Sequence, residues 1–357
     1  MTVRKIRVLV VDDSAMFRNL LVNGLMKDPV MDVVAVASDP YEARDAILEF
    51  SPDVMTLDIE LPRMNGIEFL RKLLPQYPLP TVVISALSDK VFDALEAGAV
   101  EFVNKPVGMD KEQIDRMIRM ELITKLKLAS TINIGNLKKT KDYVNTRRTG
   151  AAGAHIGRAA PLVHAAGNEA VVAIGASTGG TDAIYNVVKG FQRDIAGTVI
   201  VQHMPPGFTR MYAERLNEQC QVVVKEAETG DRIVPGQVLI APGDAHMRVI
   251  NVKGEYHVEC RTGPKVSGHC PSVDVLFESV AKSVGKKAVG VILTGMGKDG
   301  ADGLLAMRKA GARTIGQNEG SCIVYGMPKV AYDIGAVESQ MDITGIAGKI
   351  YSLLGSI

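Results

Sequence analysis

The sequence predicts two doubly wound, parallel-sheet α/β domains in tandem, and three observations predict it. Short continuous apolar runs alternate with stretches of helical spacing from Ile6 to Leu122. The alternation starts again at Ala170 and continues to Ile334. Between the two lies a stretch of different composition, basic at first and then rich in Gly and Ala. Alternating β and α elements require crossover connections, which place helices on both faces of a parallel sheet. The length agrees, because 357 residues at about 150 per domain leave two domains and a connection.

In the first domain, Ile6–Val11 is a short run that is apolar apart from Arg7, the pattern of a strand buried on both faces. Met16, Phe17, Leu20, Leu21 and Leu25 then recur at helical spacing within Asp13–Met26. Strands follow at Met31–Ala37, Asp53–Leu57, Thr81–Ile84 and Val100–Val103, separated by helices at Pro40–Phe50, Gly66–Leu74 and Val91–Ala97. Asp110 opens a last helix, with Gln113 at the capping-box position.

In the second domain the expected strands are Ala170–Ala176, Thr198–Gln202, Val222–Lys225, Val238–Ala241, Met247–Val252, Ala288–Thr294 and Arg313–Gln317. The expected helices are Thr181–Lys189, Thr209–Glu218, Ser272–Ser283, Gly300–Ala310 and Pro328–Ile334. The connection carries eight basic residues from Lys125 to Arg158 against one acid, Asp142. Its first residues read as helical and the remainder as a solvated linker. The boundaries are therefore 1–123, 124–165 and 166–357.

Composition removes several functional classes. With 46% hydrophobic and 23% charged residues the chain is an ordinary folded protein. A formal net charge of +1 gives no bulk electrostatic case for a nucleic-acid or membrane partner. No uncharged apolar run reaches the roughly 18 residues of a membrane span, and Val8–Val11 meets Asp12 too soon for a signal-peptide core. Cys220, Cys260, Cys270 and Cys322 are scattered and form no C-x-x-C pair, so reduced thiols and a cytoplasmic location are expected.

Two groups of residues carry chemistry. In the first domain Asp12 and Asp13 follow the first strand, Asp58 the third, Ser85 the fourth, and Lys105-Pro106 the fifth. All fall at carboxyl ends of strands, where open parallel sheets build their sites. Any single aspartate there could be a turn former. Three carboxylates together repel one another unless a cation such as Mg²⁺ sits among them. A lysine and a hydroxyl opposite would hold phosphoryl oxygens, so one carboxylate is placed to become an aspartyl phosphate.

In the second domain Ser177 sits in GASTGG after a strand, His203 ends the next strand in VQHMPP, and Asp299 lies past a later strand in TGMGKDG. Three strand ends can deliver a nucleophile, a base and an orienting acid to one crevice. Taken singly, the glycine-rich turn could cradle a phosphate, although it lacks G-x-G-x-x-G spacing. His203 alone could be an ordinary strand-end histidine and Asp299 a turn residue. His246, His257 and His269 show no ligand spacing, which speaks against a metal site here.

The segments VLVVDDS, DVMTLDIELPRMNG, VVISA and EFVNKP resemble the response-regulator receiver domain, a flavodoxin-like fold. The resemblance implies that Asp58 accepts the phosphoryl group and that Asp12 and Asp13 help bind Mg²⁺. It makes Ser85 the switch hydroxyl, Phe102 the switch aromatic and Lys105 the phosphate contact. The Ser85–Lys105 segment is shorter than in many relatives, so the fourth helix or the loop before it is trimmed.

Nearly the whole chain resembles the chemotaxis protein-glutamate methylesterase family, through IGASTGG, VQHMPPGFT, EAETGDRIVPGQVLIAPGDAHM, PSVDVLF, GVILTGMGKDG and QNEGSCIVYGMP. This implies a Rossmann-like serine hydrolase domain that cleaves glutamate γ-methyl esters on chemoreceptor cytoplasmic domains, releasing methanol, with deamidation of glutamine open to the same chemistry. Ser177, His203 and Asp299 would be catalytic, with Thr178 and Met296 at the oxyanion. A chemotaxis histidine kinase would be the phosphodonor, and the unphosphorylated receiver would restrict the esterase. No cofactor is implied for the esterase itself. His269-Cys270-Pro271 departs from relatives that carry Arg before the Pro. The other readings are a receiver with a DNA-binding or a non-catalytic docking output; the α/β pattern and the linker-bound basic residues disfavour the first.

Overall fold

The structure, a computed structural model, describes residues 4–86, 88–106, 108, 110–132 and 170–357. It divides into two compact units, with the break between Ala152 and Gly153.

The first unit holds β1 (Ile6–Val11), β2 (Met31–Ala37), β3 (Val54–Asp58), β4 (Thr81–Ser85) and β5 (Glu101–Asn104) in a parallel sheet of order β2-β1-β3-β4-β5. This is the flavodoxin-like order, whose reversal between β1 and β3 opens a crevice at the carboxyl ends of those strands. The sheet centre is dry: Leu9, Val10, Met55, Leu57, Val82 and Val83 have no exposed surface. The helices are α1 (Ala15–Leu25), α2 (Pro40–Phe50), α3 (Gly66–Leu73), α4 (Ser88–Ala97), α5 (Lys111–Met117) and α6 (Ile123–Ala129).

Side-chain caps start several of these helices. Ser14, Asp39, Asn65 and Asp110 each accept a backbone amide of the first turn, and Pro40 occupies the position where a missing N–H costs nothing. A π-helical turn, Ile118–Leu122, joins α5 to α6. The helical start expected for the linker therefore extends to Ala129; the linker beyond residue 132 lies outside the described residues. α4 begins three residues after β4 and is ten residues long.

The second unit contains β6 (Val171–Ala176), α7 (Gly180–Val188), β7 (Gly197–Gln202), α8 (Phe208–Gln219), β8 (Val223–Glu226), β9 (Gln237–Ile240), β10 (His246–Val252) and β11 (Glu255–Arg261). It continues with α9 (Val273–Ser283), β12 (Ala288–Ile292), α10 (Ala301–Lys309), β13 (Arg313–Gln317), α11 (Met327–Asp333), β14 (Ser339–Met341) and α12 (Ile343–Leu354). Seven strands form a parallel sheet of order β14-β13-β12-β6-β7-β9-β8. The order reverses at β6, flanked by β12 and β7.

Four elements depart from the periodicity reading. The strand expected at Met247–Val252 leaves the sheet and pairs antiparallel with β11 as a separate ribbon. β11 was not expected, because EYHVECR carries three charged residues in seven and only Val258 is buried. β14 and α12 were not expected either. α12 buries Ile343, Ile346, Ile350 and Leu353 on one face, but Gly345 and Gly348 weaken its helix propensity.

Candidate functional site

In the first unit Asp12 follows β1 and Asp58 closes β3, the two strands flanking the order reversal. Carboxylate oxygens of Asp12, Asp13 and Asp58 all lie within 4.8 Å of one another, with Asp12 and Asp58 buried and Asp13 exposed. The Lys105 ammonium bridges two of them, at 2.9 Å from Asp12 Oδ2 and 2.6 Å from Asp58 Oδ2, and lies 4.4 Å from the centre of the Phe17 ring. Burial pushes Asp12 up to about 6, against the pull of Lys105. Burial also opposes the charge on Lys105, but its hydrogen bonds to Asp58 and Asp12 win and hold it above the usual lysine value.

This donor set fits a small hard cation: three hard oxygens, one of them from an accessible carboxylate, with more negative charge than one lysine balances. Ser85 is buried at the end of β4, and its carbonyl accepts the Lys105 amide at 2.9 Å. Phe102 on β5 is also buried, with the Lys125 ammonium 5.0 Å from its ring centre and donating to its carbonyl.

In the second unit the three expected residues stand at the ends of three adjacent strands. Ser177 is the first residue beyond β6 and His203 the first beyond β7. The register Ala176↔Gln202 makes them the next pair outward on neighbouring strands. Asp299 lies in the loop after β12, on the other side of β6. The switch point of this sheet therefore carries all three.

The backbone of Ser177 is held on three sides. Its amide donates to Thr294 O at 3.0 Å, while its carbonyl accepts from Gly180 N at 2.7 Å and from Gln202 Nε2 at 2.9 Å. Gly179 has φ of 74°, and a Cβ there would lie 2.6 Å from Ile323 Cβ. A Cβ on Gly295 would lie 2.8 Å from Ser177 Cβ and 2.3 Å from Met327 Sδ, so the loop bearing Met296 touches the serine only because it lacks a side chain there. Thr178 is buried, its carbonyl bound by Thr294 Oγ1 at 3.0 Å, and Met296 is 45% exposed.

His203 Nε2 lies 2.8 Å from Asp299 Oδ2, and Nδ1, although buried, has no hydrogen-bond partner among the described residues. Asp299 is buried and accepts three further bonds from the start of α9. These come from Ser272 Oγ at 2.7 Å, Val273 N at 2.8 Å and Asp274 N at 3.1 Å. Burial alone would raise its pKa. The bonds from His203, Ser272 and Val273 outweigh that and hold it at about 2, so it is ionised at neutral pH. An ionised carboxylate only accepts, so Nε2 carries the hydrogen, and in the neutral imidazole Nδ1 presents its lone pair.

Ser272 and the α9 amides were not anticipated as part of this site. The signal was present in PSVDVLF, where a serine precedes a helical run, but a helix cap and a carboxylate cradle look alike in one dimension. Gln202 and His269 were missed as well. The His269 ring stacks on His203 with centroids 3.7 Å apart and planes 8° from parallel.

The CheB methylesterase family model matches residues 172–350, and the response regulator receiver domain model matches residues 8–119. The chain is 56% identical over 357 residues to protein-glutamate methylesterase/protein-glutamine glutaminase 2 of Syntrophomonas wolfei, covering 100% of both chains. The chain belongs to the CheB methylesterase family. Other members include the protein-glutamate methylesterase/protein-glutamine glutaminase of Salmonella typhimurium, 45% identical over 99% of this chain and 98% of that one. The crystal structure of the Thermotoga maritima CheB methylesterase catalytic domain matches at TM-score 0.51 and 35% identity, over 52% of this chain and 98% of that one. In this CheB-family chain the matched segment contains Ser177, His203 and Asp299, and the receiver segment contains Asp12, Asp13, Asp58, Ser85, Phe102 and Lys105.

Proposed function

We propose that the protein is a phosphorylation-regulated chemotaxis hydrolase that removes γ-methyl groups from glutamates of chemoreceptor cytoplasmic domains. The observation that carries this reading is the His203–Asp299 pair at 2.8 Å with Nδ1 unpartnered, on the strand end beside Ser177.

His203 Nδ1 takes the Ser177 proton as Oγ bonds to the ester carbonyl carbon. Nε2 keeps its hydrogen on Asp299, whose negative charge stabilises the imidazolium. The acid thus meets Nε2 rather than Nδ1, the reverse of the familiar serine-protease arrangement, with no change in proton accounting. Thr178 and the backbone at Met296 stabilise the oxyanion, each such donor contributing about 2.7–4 kcal/mol to barrier lowering. The C–O bond to methoxide breaks as His203 returns its proton, giving methanol. Water then attacks the acyl-serine, His203 takes its proton, and Ser177 leaves protonated, freeing a glutamate carboxylate. A receptor glutamine enters the same sequence with ammonia as the leaving group, which supports a second, glutaminase activity.

Residues 1–123 act as the receiver, 166–357 as the catalytic domain and 124–165 as a basic connection. A chemotaxis histidine kinase donates the phosphoryl group: Asp58 Oδ bonds to phosphorus as the P–N bond of the phosphohistidine breaks. Asp12, Asp13 and Asp58 would hold Mg²⁺, which supplies neutralisation of phosphoryl charge when bound. Lys105 and Ser85 then bind phosphoryl oxygens, and Phe102 responds to the new contact. The four free thiols suit a cytoplasmic site of action. Among the described residues no helix is long and apolar enough to cross a membrane.

Methanol release from methylated receptor, with and without acetyl phosphate, tests the reading. Wild type should release methanol faster with the phosphodonor, Asp58→Asn should lose that stimulation, and Ser177→Ala should release none. Near-normal turnover by Ser177→Ala would remove it as nucleophile, and a wild type inert toward methyl esters would favour the non-catalytic docking role.

A further inference from the structure

One hydrogen bond to Asp299 fixes one nitrogen of His203 but not the plane of its ring. Rotation about that contact would displace Nδ1, the nitrogen that the mechanism assigns to the Ser177 proton. A general base misplaced by about 1 Å can lose roughly 100-fold in rate, so something beyond the carboxylate has to hold the plane.

The stacked His269 ring meets that need, and its own position is tightly determined. Val266 and His269 close a two-residue turn with reciprocal backbone bonds of 3.0 and 2.9 Å. The intervening Ser267 and Gly268 have φ of 51° and 86°. Positive φ at both central positions is the tight hairpin geometry that suits Gly and Asn and strains serine. Ser267 is held there by its hydroxyl, which donates to Asp274 Oδ2 at 2.9 Å. Asp274 Oδ1 accepts Gly303 N at 2.9 Å, and the Asp274 amide donates to Asp299 at 3.1 Å. The start of α9 therefore anchors both partners of His203: the carboxylate at its edge and the imidazole on its face. Burial, followed by the neighbouring His203, pushes His269 down to about 4. It is neutral near pH 7 and stacks without placing a second positive charge on the base.

We propose that His269 is a positioning residue for His203, its flat ring holding the imidazole plane so that Nδ1 faces Ser177 while Nε2 stays on Asp299. The role belongs to the ring and not to its nitrogens. This inference rests on the hydrolase reading above.

The test is steady-state methanol release by the full-length protein, with thermal unfolding of each variant alongside. His269→Ala should lower kcat about 10–100-fold and leave KM within about two-fold, because ground-state binding is untouched. His269→Phe, which keeps a flat ring and loses both nitrogens, should recover kcat to within about three-fold of wild type. Ser267→Ala, cutting only the anchor, should fall between the two. If His269→Ala does not fold, His269→Leu replaces it, equal in bulk to a packing role but not planar, and should stay as slow as expected for Ala. Unchanged kcat in the non-planar variants overturns the proposal, and so does a Phe variant as slow as they are, since that would assign the role to a nitrogen. A wild-type protein that releases no methanol sinks the hydrolase reading and this inference together, whereas an active wild type with fully active variants sinks this inference alone.

Discussion

The Ser272 hydroxyl donates to Asp299 Oδ1 at 2.7 Å, and Ser272 Oγ accepts the Val275 amide at 3.5 Å as the N-cap of α9. One side chain thus starts a helix and turns that helix start toward the acid of the candidate triad. A helix N-terminus favours negative charge, and here it solvates a carboxylate that has left water.

Ser272→Ala should therefore do two things at once. Loss of the cap should cost about 1 kcal/mol of stability, read from the denaturant midpoint. Loss of a bond to an ionised acceptor should lower kcat by roughly ten-fold with little change in KM. A variant that lost stability and kept full kcat would reduce Ser272 to a cap.

Asp299→Asn should keep the geometry but lower kcat by about 10³–10⁴-fold, because an amide cannot hold the imidazolium or the tautomer. The defect should appear in single-turnover rates, which exclude product release.

The pH dependence of stability has opposing parts. Asp299, held at about 2 against an ordinary 3.8, adds stability that is complete above about pH 4 and lost as pH falls through about 2. Asp274 runs the other way. Burial raises it to about 6, opposed by its bond from Gly303. Its contribution is complete below about pH 4 and lost as pH rises through about 6. The thermal midpoint of wild type minus that of Asp274→Asn should therefore grow as pH is lowered from about 7.5 to about 4. A difference independent of pH would show that Asp274 does not titrate in this window.

Mg²⁺ should stabilise the receiver through Asp12, Asp13 and Asp58. At about 100 times the dissociation constant the gain is about 2.7 kcal/mol, and EDTA should reverse it. Asp13→Ala should lose most of the Mg²⁺-dependent shift while folding normally in EDTA, since its side chain is exposed. An equal shift in both proteins would exclude Asp13 from the cation site.

Lys125 ties the helix beyond the receiver core to the switch aromatic. It pairs with Glu101 at 3.2 Å and Glu121 at 2.8 Å and lies over the Phe102 ring. Lys125→Met should cost about 1–2 kcal/mol, the lower end for a partly exposed pair. It should also change the stimulation by acetyl phosphate without changing the unstimulated rate of methanol release. Identical stimulation in both proteins would separate Lys125 from the switch.

The strand and helix pattern of both units was legible because parallel strands buried on two faces are continuous apolar runs. Val8–Val11 within β1 and Val171–Ala176 are such runs. β10 was legible as the strand Met247–Val252, but its partner was not, because the half-exposed Glu255–Arg261 carries little apolar periodicity. α12 was hidden by glycines that packing, not propensity, overrides.

The chemistry divides along the same line. Residue type and strand-end position were enough to nominate Ser177, His203 and Asp299, and Asp12, Asp13, Asp58 and Lys105, since the carboxyl edge of a parallel sheet gathers whatever follows its strands. Which imidazole nitrogen meets the acid, what keeps Asp299 ionised and which ring lies on His203 were decided only in three dimensions. Those depend on Ser272, Asp274 and His269, which reach the site from a helix start and a tight turn that are distant in sequence from Ser177. Sequence spacing carries no record of such contacts, because they arise from how α9 packs against the sheet and not from any local pattern.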